Sequence, residues 1–288
     1  MWLDPMPLEE DIHEAYQTYY THGENAQKES QNIKPITKVL SYLFQLFLRL
    51  TPITKERIAL DRMFLVNIKP GKLLEIGCGD GARLGRLSAL GWSVEGQEVD
   101  PVSAAIAAKR GLEIHLGPLE KLSLPAESYD AIVMNHVIEH VHEPVKLLSE
   151  CRRLLKAKGT LVSVTPNIRS YGHRIFKANW RGLEPPRHVM LHCQESLRLV
   201  AQQAGFENPA MWTTVANANH LTKASLQLIC GTKNPKLSIK ALYYFVPTLF
   251  LLWARIIQIF DKDSGEECVL ILRRSEVKKL NDSHCMCV

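Results

Sequence analysis

Three glycines at every second position form the most distinctive turn in the sequence. Gly77, Gly79 and Gly81 follow the apolar run Leu73–Ile76 and precede a stretch whose leucines have helical spacing. Because glycine has no Cβ, such a turn lets a ligand lie against bare backbone, and the helix start behind it offers unpaired N–H groups. Glu75 ends the strand, where a carboxylate would meet a cationic or hydroxylated ligand. The pattern predicts a ligand site, although strand–helix turns also carry glycines for steric reasons alone.

A second carboxylate ends the next predicted strand, Trp92–Glu98. An acid in this place accepts hydrogen bonds from ribose hydroxyls in nucleoside-binding α/β folds. Asp100 is interpreted as the cap of the following helix, with Pro101 as its first residue. Together with the glycine turn, Glu98 predicts that this half of the sheet binds a nucleoside.

The run His136 to His140 reads H-x-x-E-H and contains candidate catalytic groups. His140 or His136 could take a proton from a hydroxyl nucleophile, with Glu139 beside them. Zinc peptidases carry the same pattern on one helix, where the two histidines share a face. Here the run starts where a strand ends, which disfavours a peptidase. A metal site, an acid/base or substrate contact without metal, and a structural role all stay open.

A basic and aromatic tract, Asn167–His192, follows the predicted fifth strand. It leaves the carboxyl edge of the sheet, where ligands bind in open α/β folds. Arginines there suit a phosphate or carboxylate on a substrate, and the alternative is a solvated basic loop. The candidate substrate contacts in this tract are Trp180, Arg181, Arg187 and His188.

The elements that must position these side chains alternate between strand and helix, which is typical of an α/β fold. Apolar runs predict the strands 73–76, 92–98, 112–116, 128–135, 159–165, 206–215 and 267–273. Helical spacing predicts the helices 82–90, 101–110, 144–156 and 195–204.

Four segments in this order resemble the class I S-adenosylmethionine-dependent methyltransferases: LLEIGCGDG, VEGQEVD, SYDAIVMNHVIEHV and LLKAKGTLVSVTPN. The tract WRGLEPPRH resembles a bacterial branch that acts on small molecules and glycans. The resemblance implies a Rossmann-like sheet of seven strands with S-adenosylmethionine as cofactor. The positions it implies for cofactor binding are Glu75, Gly77, Cys78, Gly79, Glu98, Leu119, Glu120 and Asn135.

Two positions depart from the patterns of the family. Pro118 stands where an aspartate often contacts the adenine amine, and proline offers neither a carboxylate nor an N–H, so the contact would fall to Leu119 or Glu120. The ubiquinone-biosynthesis O-methyltransferases, a more distant resemblance, read E-x-x-E-H and hold a divalent metal there. Carried over, the metal positions are His136, Glu139 and His140; the first histidine favours a softer ion than Mg²⁺ or no metal.

The domain organisation implied is an N-terminal helical cap at 1–68, a methyltransferase domain at 69–275 and a polar tail at 276–288. The cap contains a predicted helix ending at Tyr20, a candidate substrate contact, and a broadly apolar helix at 36–50. A second apolar segment, 241–260, lies in an amphipathic insertion (216–265) between the last two strands. Each apolar segment either lies on a membrane surface or is covered by protein.

Composition restricts the function classes. The 288 residues are 46% hydrophobic and 23% charged with a net charge of +5, which is ordinary for a globular protein and too mild to indicate nucleic-acid binding. The seven cysteines match no zinc spacing and indicate a reducing compartment. The acidic N-terminus lacks the apolar core of a signal peptide. We expect a cytoplasmic protein, with possible peripheral contact on the inner face of a membrane.

The expected function is methyl transfer to oxygen on a small or lipid-linked acceptor, such as a quinone precursor or a glycan. Two other classes are kept open. One is a membrane-attached module that binds the nucleoside without turnover, and the other is an H-x-x-E-H metallopeptidase.

Overall fold

The computed structural model describes residues 1–7, 51–230 and 237–275, with the side chains of 237–245 left undescribed. The predicted helix that ends at Tyr20 and the one at 36–50 lie outside these ranges. So does the polar tail 276–288.

Seven strands form one sheet in the order β3-β2-β1-β4-β5-β7-β6. All neighbours are parallel except β7, which is antiparallel to both β5 and β6. This topology confirms the predicted Rossmann-like α/β fold. The strands are β1 Lys72–Ile76, β2 Ser93–Glu98, β3 Glu113–Leu116, β4 Tyr129–Asn135, β5 Leu155–Pro166, β6 Ala210–Thr214 and β7 Glu267–Arg273.

Helices connect the strands and cover both faces of the sheet. Short 3₁₀ turns occupy Leu119–Lys121, Ile138–His140, Lys177–Asn179 and Arg181–Leu183. The α-helices are α1 Pro52–Asp61, α2 Ala82–Ala89, α3 Pro101–Lys109, α4 Pro144–Leu154, α5 Tyr171–Phe176, α6 Gln194–Gln203, α7 Ala218–Cys230 and α8 Leu237–Phe260.

The central strands are apolar on both faces because helices cover both. Ile132 of β4 is fully buried against Leu148 of α4 and its neighbours. Val133, which points to the other face, lies in a second cluster with Leu84 and Leu87 of α2. Continuous apolar runs of this kind are the signature of parallel strands that are buried on both sides.

The reversed direction of β7 decides what lies at the carboxyl edge of the sheet. Its first residue, Glu267, pairs with Pro166 at the end of β5 and with Thr214 at the end of β6. Because β7 runs against its neighbours, its amino end meets their carboxyl ends. Glu267 therefore lies at the edge where β1 and β4 also end.

Two helices, α7 and α8, fill the chain between β6 and β7. Leu251 and Ala254 of α8 are fully buried in a cluster with Ile53 of α1. The opposite face of α8 is apolar and exposed; Trp253 and Phe260 keep 51% and 84% of their surface accessible. Among the described residues, no helix has the length and apolar character to cross a membrane.

Three element boundaries differ by two or more residues from the sequence prediction. The helix expected to reach Lys156 ends at Leu154, and β5 starts at Leu155 because that buried residue pairs with Tyr129 of β4. The sixth strand starts at Ala210, since Phe206 packs into the core after α6 instead of joining the sheet. Burial of single large side chains overrides local strand propensity at both places.

Candidate active site

The glycine turn has a backbone that other residues rarely adopt. Gly77, Gly79 and Gly81 have φ values of +64°, +55° and +75°. A Cβ added at Gly77 would lie 2.7 Å from Cγ2 of Val137, whereas one at Gly79 would meet nothing within 4 Å. The middle glycine thus faces open space, as a turn that lies against a ligand requires.

Glu98 lies directly beside this turn. Its carboxylate accepts from the N–H of Gly79 at 2.7 Å through one oxygen, and from Val99 at 2.8 Å and Asp100 at 3.0 Å through the other. The side chain of Asp100 accepts from the amides of Val102 and Ser103, which agrees with its predicted capping role. The loop therefore fixes Glu98 at the end of β2, next to the exposed glycine backbone.

Sequence reasoning missed Gln97, which links the glycine turn to the turn after β3. Its side-chain oxygen accepts from the N–H of Gly77 at 3.2 Å, and its amide nitrogen donates to the carbonyl of Gly117 at 2.7 Å. The end of β1 is thereby tied to the turn after β3. The sequence feature that could have indicated this role is the polar side chain of Gln97 within a buried strand.

Two of the candidate cofactor contacts have their side chains turned into the core. Cys78 is buried beneath Gly96, and burial raises the pKa of its thiol, so only its backbone faces the turn. Leu119 belongs to the core cluster around β4, which excludes its side chain from an adenine contact. Glu120 is exposed on the same 3₁₀ turn. Its adenine contact, like the contact of Asn135 at the end of β4, stays a prediction.

His136 lies between two buried carboxylates and adopts a positive φ of 56°. Its Nδ1 donates to Glu139 Oε1 at 3.1 Å and its Nε2 donates to Glu267 Oε1 at 2.8 Å. Asn217 donates to both oxygens of Glu267, at 3.2 and 3.0 Å. Burial alone would lower the pKa of His136, but the two carboxylates outweigh it and raise the pKa to about 10.

This arrangement corrects the expectation for His136. A ring that donates through both nitrogens is an imidazolium, so it has no lone pair with which to accept a proton or ligate a metal. His136 carries a fixed positive charge that joins the end of β4 to the start of β7.

Glu139 is also corrected, because it is fully buried. Besides His136, its carboxylate accepts from the hydroxyl of Thr165 at 2.8 Å. Burial opposes its ionisation, yet the hydrogen bond and charge of His136 lower the pKa of Glu139 to about 2. Glu139 is therefore an ionised group that orients its neighbours and does not reach a substrate.

His140 has a defined orientation. Its Nδ1 donates to the carbonyl oxygen of Arg187 at 2.9 Å, which places the lone pair of the neutral ring on Nε2. The ring stacks edge-on against His188, with centroids 4.7 Å apart. Nδ1 of His188 donates to the carbonyl of Gly182 at 2.7 Å, and burial lowers the pKa of His188 to about 4. His188 is thus neutral at pH 7, and its ring packs against the ring of His140.

The geometry is wrong for the metal set implied by the more distant resemblance and for a peptidase. The run forms a 3₁₀ turn over Ile138–His140, and His136 precedes it, so the two histidines do not share a face of an α-helix. Both nitrogens of His136 are bonded to carboxylates. Among the described residues, ligand atoms of Glu139, His140 and His188 do lie within 4.8 Å of one another. That set omits His136, so it is not the one carried over from the family.

Each arginine of the basic tract has an acidic partner, although Arg181 and Arg187 share one. Arg181 and Arg187 both pair with Glu184, the former at 2.9 Å. Arg169 pairs with Glu195 at 2.5 Å, and Arg174 pairs with Asp261 at 2.8 Å. Each of these guanidinium groups already contacts a carboxylate, which makes the tract a weaker receptor for phosphate than the sequence predicts.

Trp180 is corrected from a substrate contact to a packing residue. Its side chain is 1% exposed, and its indole N–H donates to the carboxylate of Glu266 at 3.2 Å. Gly182 packs directly on the ring, because a Cβ there would come within 2.4 Å of it. The aromatic residues of the tract therefore pack into a small core at the edge of the sheet.

Comparison with known proteins decides the family. A family model described as a methyltransferase domain matches residues 53–210, more than half of the chain. The chain belongs to the class I S-adenosylmethionine-dependent methyltransferases. The match begins inside α1, within the segment predicted as an N-terminal cap.

Relatives of this methyltransferase include ubiquinone biosynthesis O-methyltransferase from Cereibacter sphaeroides, which is 34% identical over 117 residues, covering 38% of this chain and 47% of that protein. The chain thus spans about half the length of the curated relatives it matches. Its fold is similar to phosphoethanolamine N-methyltransferase 2 from Haemonchus contortus with bound S-adenosylmethionine (TM-score 0.53, 18% identity, 81% of this chain and 60% of that one). It is also similar to geranyl diphosphate C-methyltransferase from Streptomyces coelicolor (TM-score 0.55, 14% identity, 92% and 97%).

The cofactor of this methyltransferase is S-adenosylmethionine, and the residues present fit it. The open glycine backbone and the fixed carboxylate of Glu98 match a nucleoside, and a buried oxygen of Glu75 has no hydrogen-bond partner among the described residues. An ionised oxygen buried without a donor is costly, so a ligand that donates to it stabilises the site.

We expect Glu98→Ala to weaken the binding of S-adenosylhomocysteine by about 1.5–3 kcal/mol, because charge-assisted hydrogen bonds to the ribose are lost. Isothermal titration calorimetry measures this directly. Glu120→Ala, an exposed acid on the neighbouring turn, serves as a comparison that bears on the adenine contact. Unchanged affinity in Glu98→Ala would remove the ribose assignment.

Proposed function

We propose that this methyltransferase methylates an oxygen of a small or lipid-linked acceptor that carries a hydroxyl group. When bound, S-adenosylmethionine supplies a methyl group on a positively charged sulfur. The hydroxyl that attacks it must give up a proton. The observation that carries the proposal is the hydrogen bond from Nδ1 of His140 to the Arg187 carbonyl, which presents Nε2 as the proton acceptor.

The neighbours of His140 suit a group that becomes positive during the reaction. The ionised Glu139 lies close enough for its charge to interact with His140, and it stabilises the imidazolium formed on proton uptake. His188 is neutral and adds no competing charge. In hydrolytic triads a buried carboxylate accepts the hydrogen bond from Nδ1 of the base. Here the Arg187 carbonyl accepts that bond, and Glu139 acts on His140 through its charge alone.

Two further observations support an uncharged hydroxylated acceptor. The arginines of the basic tract pair with acids of the same chain, which disfavours a phosphate receptor there. The second observation is the similarity of 38% of this chain to ubiquinone biosynthesis O-methyltransferase, a protein named for methyl transfer to oxygen. A quinone precursor or a glycan hydroxyl belongs to this class.

The test is a survey of methyl acceptors. Purified protein and S-adenosylmethionine with a deuterated methyl group are added to a fractionated cell extract, and mass spectrometry identifies compounds that gain the label. We expect O-methylated products that are missing with His140→Ala. Cofactor affinity without any product in lipid, quinone and sugar fractions would favour the second class, a nucleoside-binding module without turnover.

We further propose that the exposed apolar face of α8, formed by Leu249, Trp253, Ile256 and Phe260, rests on a membrane surface. These residues are spaced by three or four positions and so form one stripe opposite the buried Leu251. Burial of apolar surface at an interface contributes roughly 25 cal/mol per Å².

We expect the protein to float with vesicles of phosphatidylcholine and phosphatidylglycerol, and the double variant Trp253→Glu/Phe260→Glu to lose most of this binding. Leu251 is unsuitable for such a test because it is fully buried. Arg255, a basic residue of α8, pairs with Glu56 at 2.8 Å, so its charge is already partnered within the chain. We therefore expect apolar contact to contribute more to vesicle binding than charge does.

Leu199→Glu is the matched control, since Leu199 is 59% exposed on α6, away from the stripe. It should float like the wild type. A wild-type protein that ignores vesicles would contradict membrane contact and leave the stripe to be covered by protein.

A further inference from the structure

The peptide group between Arg187 and His188 is hydrogen-bonded at both ends. Its carbonyl oxygen, which belongs to Arg187, accepts from Nδ1 of His140 at 2.9 Å. Its N–H, which belongs to His188, donates to the carbonyl oxygen of Glu184 at 3.2 Å. In a planar trans peptide the N–H and the C=O point in opposite directions, so the acceptor on one side sets the direction of the carbonyl on the other. The bond that orients His140 therefore depends on Glu184.

Glu184 holds the same loop through its side chain as well. Its carboxylate is 10% exposed, and Oε1 accepts from the guanidinium of Arg181 at 2.9 Å and from that of Arg187. Its backbone carbonyl also accepts from the N–H of Arg187 at 3.0 Å. Arg187, whose carbonyl faces His140, is thus bonded to Glu184 through both its side chain and its main chain.

Glu184 also borders the ring that packs on His140. Nδ1 of His188 donates to the carbonyl of Gly182 at 2.7 Å, and Nε2 of His188 lies 3.9 Å from Oε2 of Glu184. The centroid of this ring is 4.7 Å from that of His140. Glu184 therefore contacts both neighbours that define the orientation of His140, the Arg187 carbonyl and the His188 ring.

We propose that Glu184 is a positioning residue, which keeps the ring proton of His140 on Nδ1 by holding the Arg187 carbonyl in place. The inference rests on the proposed function, in which Nε2 of His140 accepts the proton of the acceptor hydroxyl. In a neutral imidazole, the hydrogen bond made by one nitrogen decides which nitrogen keeps the lone pair. Once the loop is released, the carbonyl no longer holds the proton on Nδ1. A ring with its proton on Nε2 cannot accept another there.

Nitrogen-15 NMR measures the position of this proton directly. The full chain is labelled at its histidine ring nitrogens, since protonated and unprotonated ring nitrogens differ widely in chemical shift. The signals of His140 are those missing from the spectrum of His140→Gln. We expect His140 of the wild type at pH 8 to carry its proton on Nδ1, and Glu184→Gln to show a mixture of the two tautomers. This measurement requires neither acceptor nor cofactor.

The rate of methyl transfer gives the second readout. Glutamine keeps the shape of Glu184 but loses the charge that binds two guanidinium groups. We expect Glu184→Gln to lower kcat by about 10- to 100-fold, because displacing a catalytic group by about 1 Å can cost about 100-fold. KM for the acceptor and the affinity for S-adenosylhomocysteine should stay within about twofold.

Glu150→Gln is the matched control. Glu150 pairs with Arg153, three residues later on α4, at 2.6 Å, and this spacing is the same as that between Glu184 and Arg187. The control should change neither the tautomer nor the rate.

Arg187→Gln breaks the proposed pair from its other side and keeps the carbonyl of residue 187. It should shift the tautomer and lower the rate as Glu184→Gln does, and it carries the test if Glu184→Gln does not fold. The double variant Glu184→Gln/Arg187→Gln should be no slower than the slower single variant, because both changes remove one interaction.

An unchanged tautomer in Glu184→Gln and Arg187→Gln would overturn the proposal. A loss of rate without a change of tautomer would overturn it as well and make Glu184 a structural group. A shifted tautomer with an unchanged rate would instead contradict the general-base role of His140 in the proposed function, so the two failures are distinguishable.

Discussion

His140→Ala is expected to lower the rate of methyl transfer by about 10²- to 10⁴-fold, the usual effect of removing a general base. The acceptor hydroxyl would then have to lose its proton to water. Cofactor affinity should change little, because the contacts of His140 described above, the Arg187 carbonyl and the His188 ring, do not involve the glycine turn. Single-turnover rates with the acceptor found in the survey, together with calorimetry for S-adenosylhomocysteine, measure both quantities.

His142→Ala is the matched control on the same loop, since Nε2 of His142 bonds only to the backbone carbonyl of Pro7 among its described contacts. It should keep most of the rate. Equal losses of turnover and cofactor affinity would indicate a structural histidine.

His136→Leu is expected to reduce the free energy of unfolding by about 3–5 kcal/mol, because it leaves two buried carboxylates facing each other without their cation. Glu139 and Glu267 are 0% and 1% exposed. The imidazole keeps 31% of its side-chain surface exposed, so the lower part of this range is expected. Urea unfolding at pH 7, followed by circular dichroism, measures the loss.

The pH dependence of this interaction has a definite sign. The folded-state pKa of His136, about 10, lies above its ordinary value, so the pair contributes stability that is fully present below about pH 6.5 and is lost as pH rises through about 10. His136→Leu has no imidazolium, so its free energy of unfolding should not show this loss as pH rises.

The double variant His136→Leu/Glu267→Gln should recover part of the stability, since it removes one of the two facing charges. A loss of less than about 1 kcal/mol in His136→Leu, with an unchanged pH profile between 7 and 10, would show that His136 is not a buried cation.

Local patterns predicted much of the fold and the nucleoside side of the site. Gly77 to Gly81 must turn sharply after an apolar strand, and Glu98 ends the next strand, so their meeting follows from parallel pairing of β1 with β2. These relations involve neighbouring elements only. The likeness to a known family added that the sheet has seven strands.

Long-range relations were not predictable from the sequence. Glu267 lies more than one hundred residues from His136, and only the reversed direction of β7 brings them to 2.8 Å. The sequence feature that could have indicated this contact is the charged Glu267 at the first position of a mostly apolar strand. Arg181 and Arg187 look like substrate contacts in the sequence, because their shared partner Glu184 is recognised only once the loop has folded.

The position of β7 also has a consequence for how the protein matures. This last strand inserts between β5 and β6, both of which are synthesised earlier. Pairing across such a sequence distance is slow, because a long loop must close before any contact stabilises it. While the chain emerges from the ribosome, β5 and β6 would thus lack the strand between them, and His136 would lack one of its two counter-ions. The nucleoside half can assemble first, but methyl transfer competence must wait until synthesis has passed residue 273.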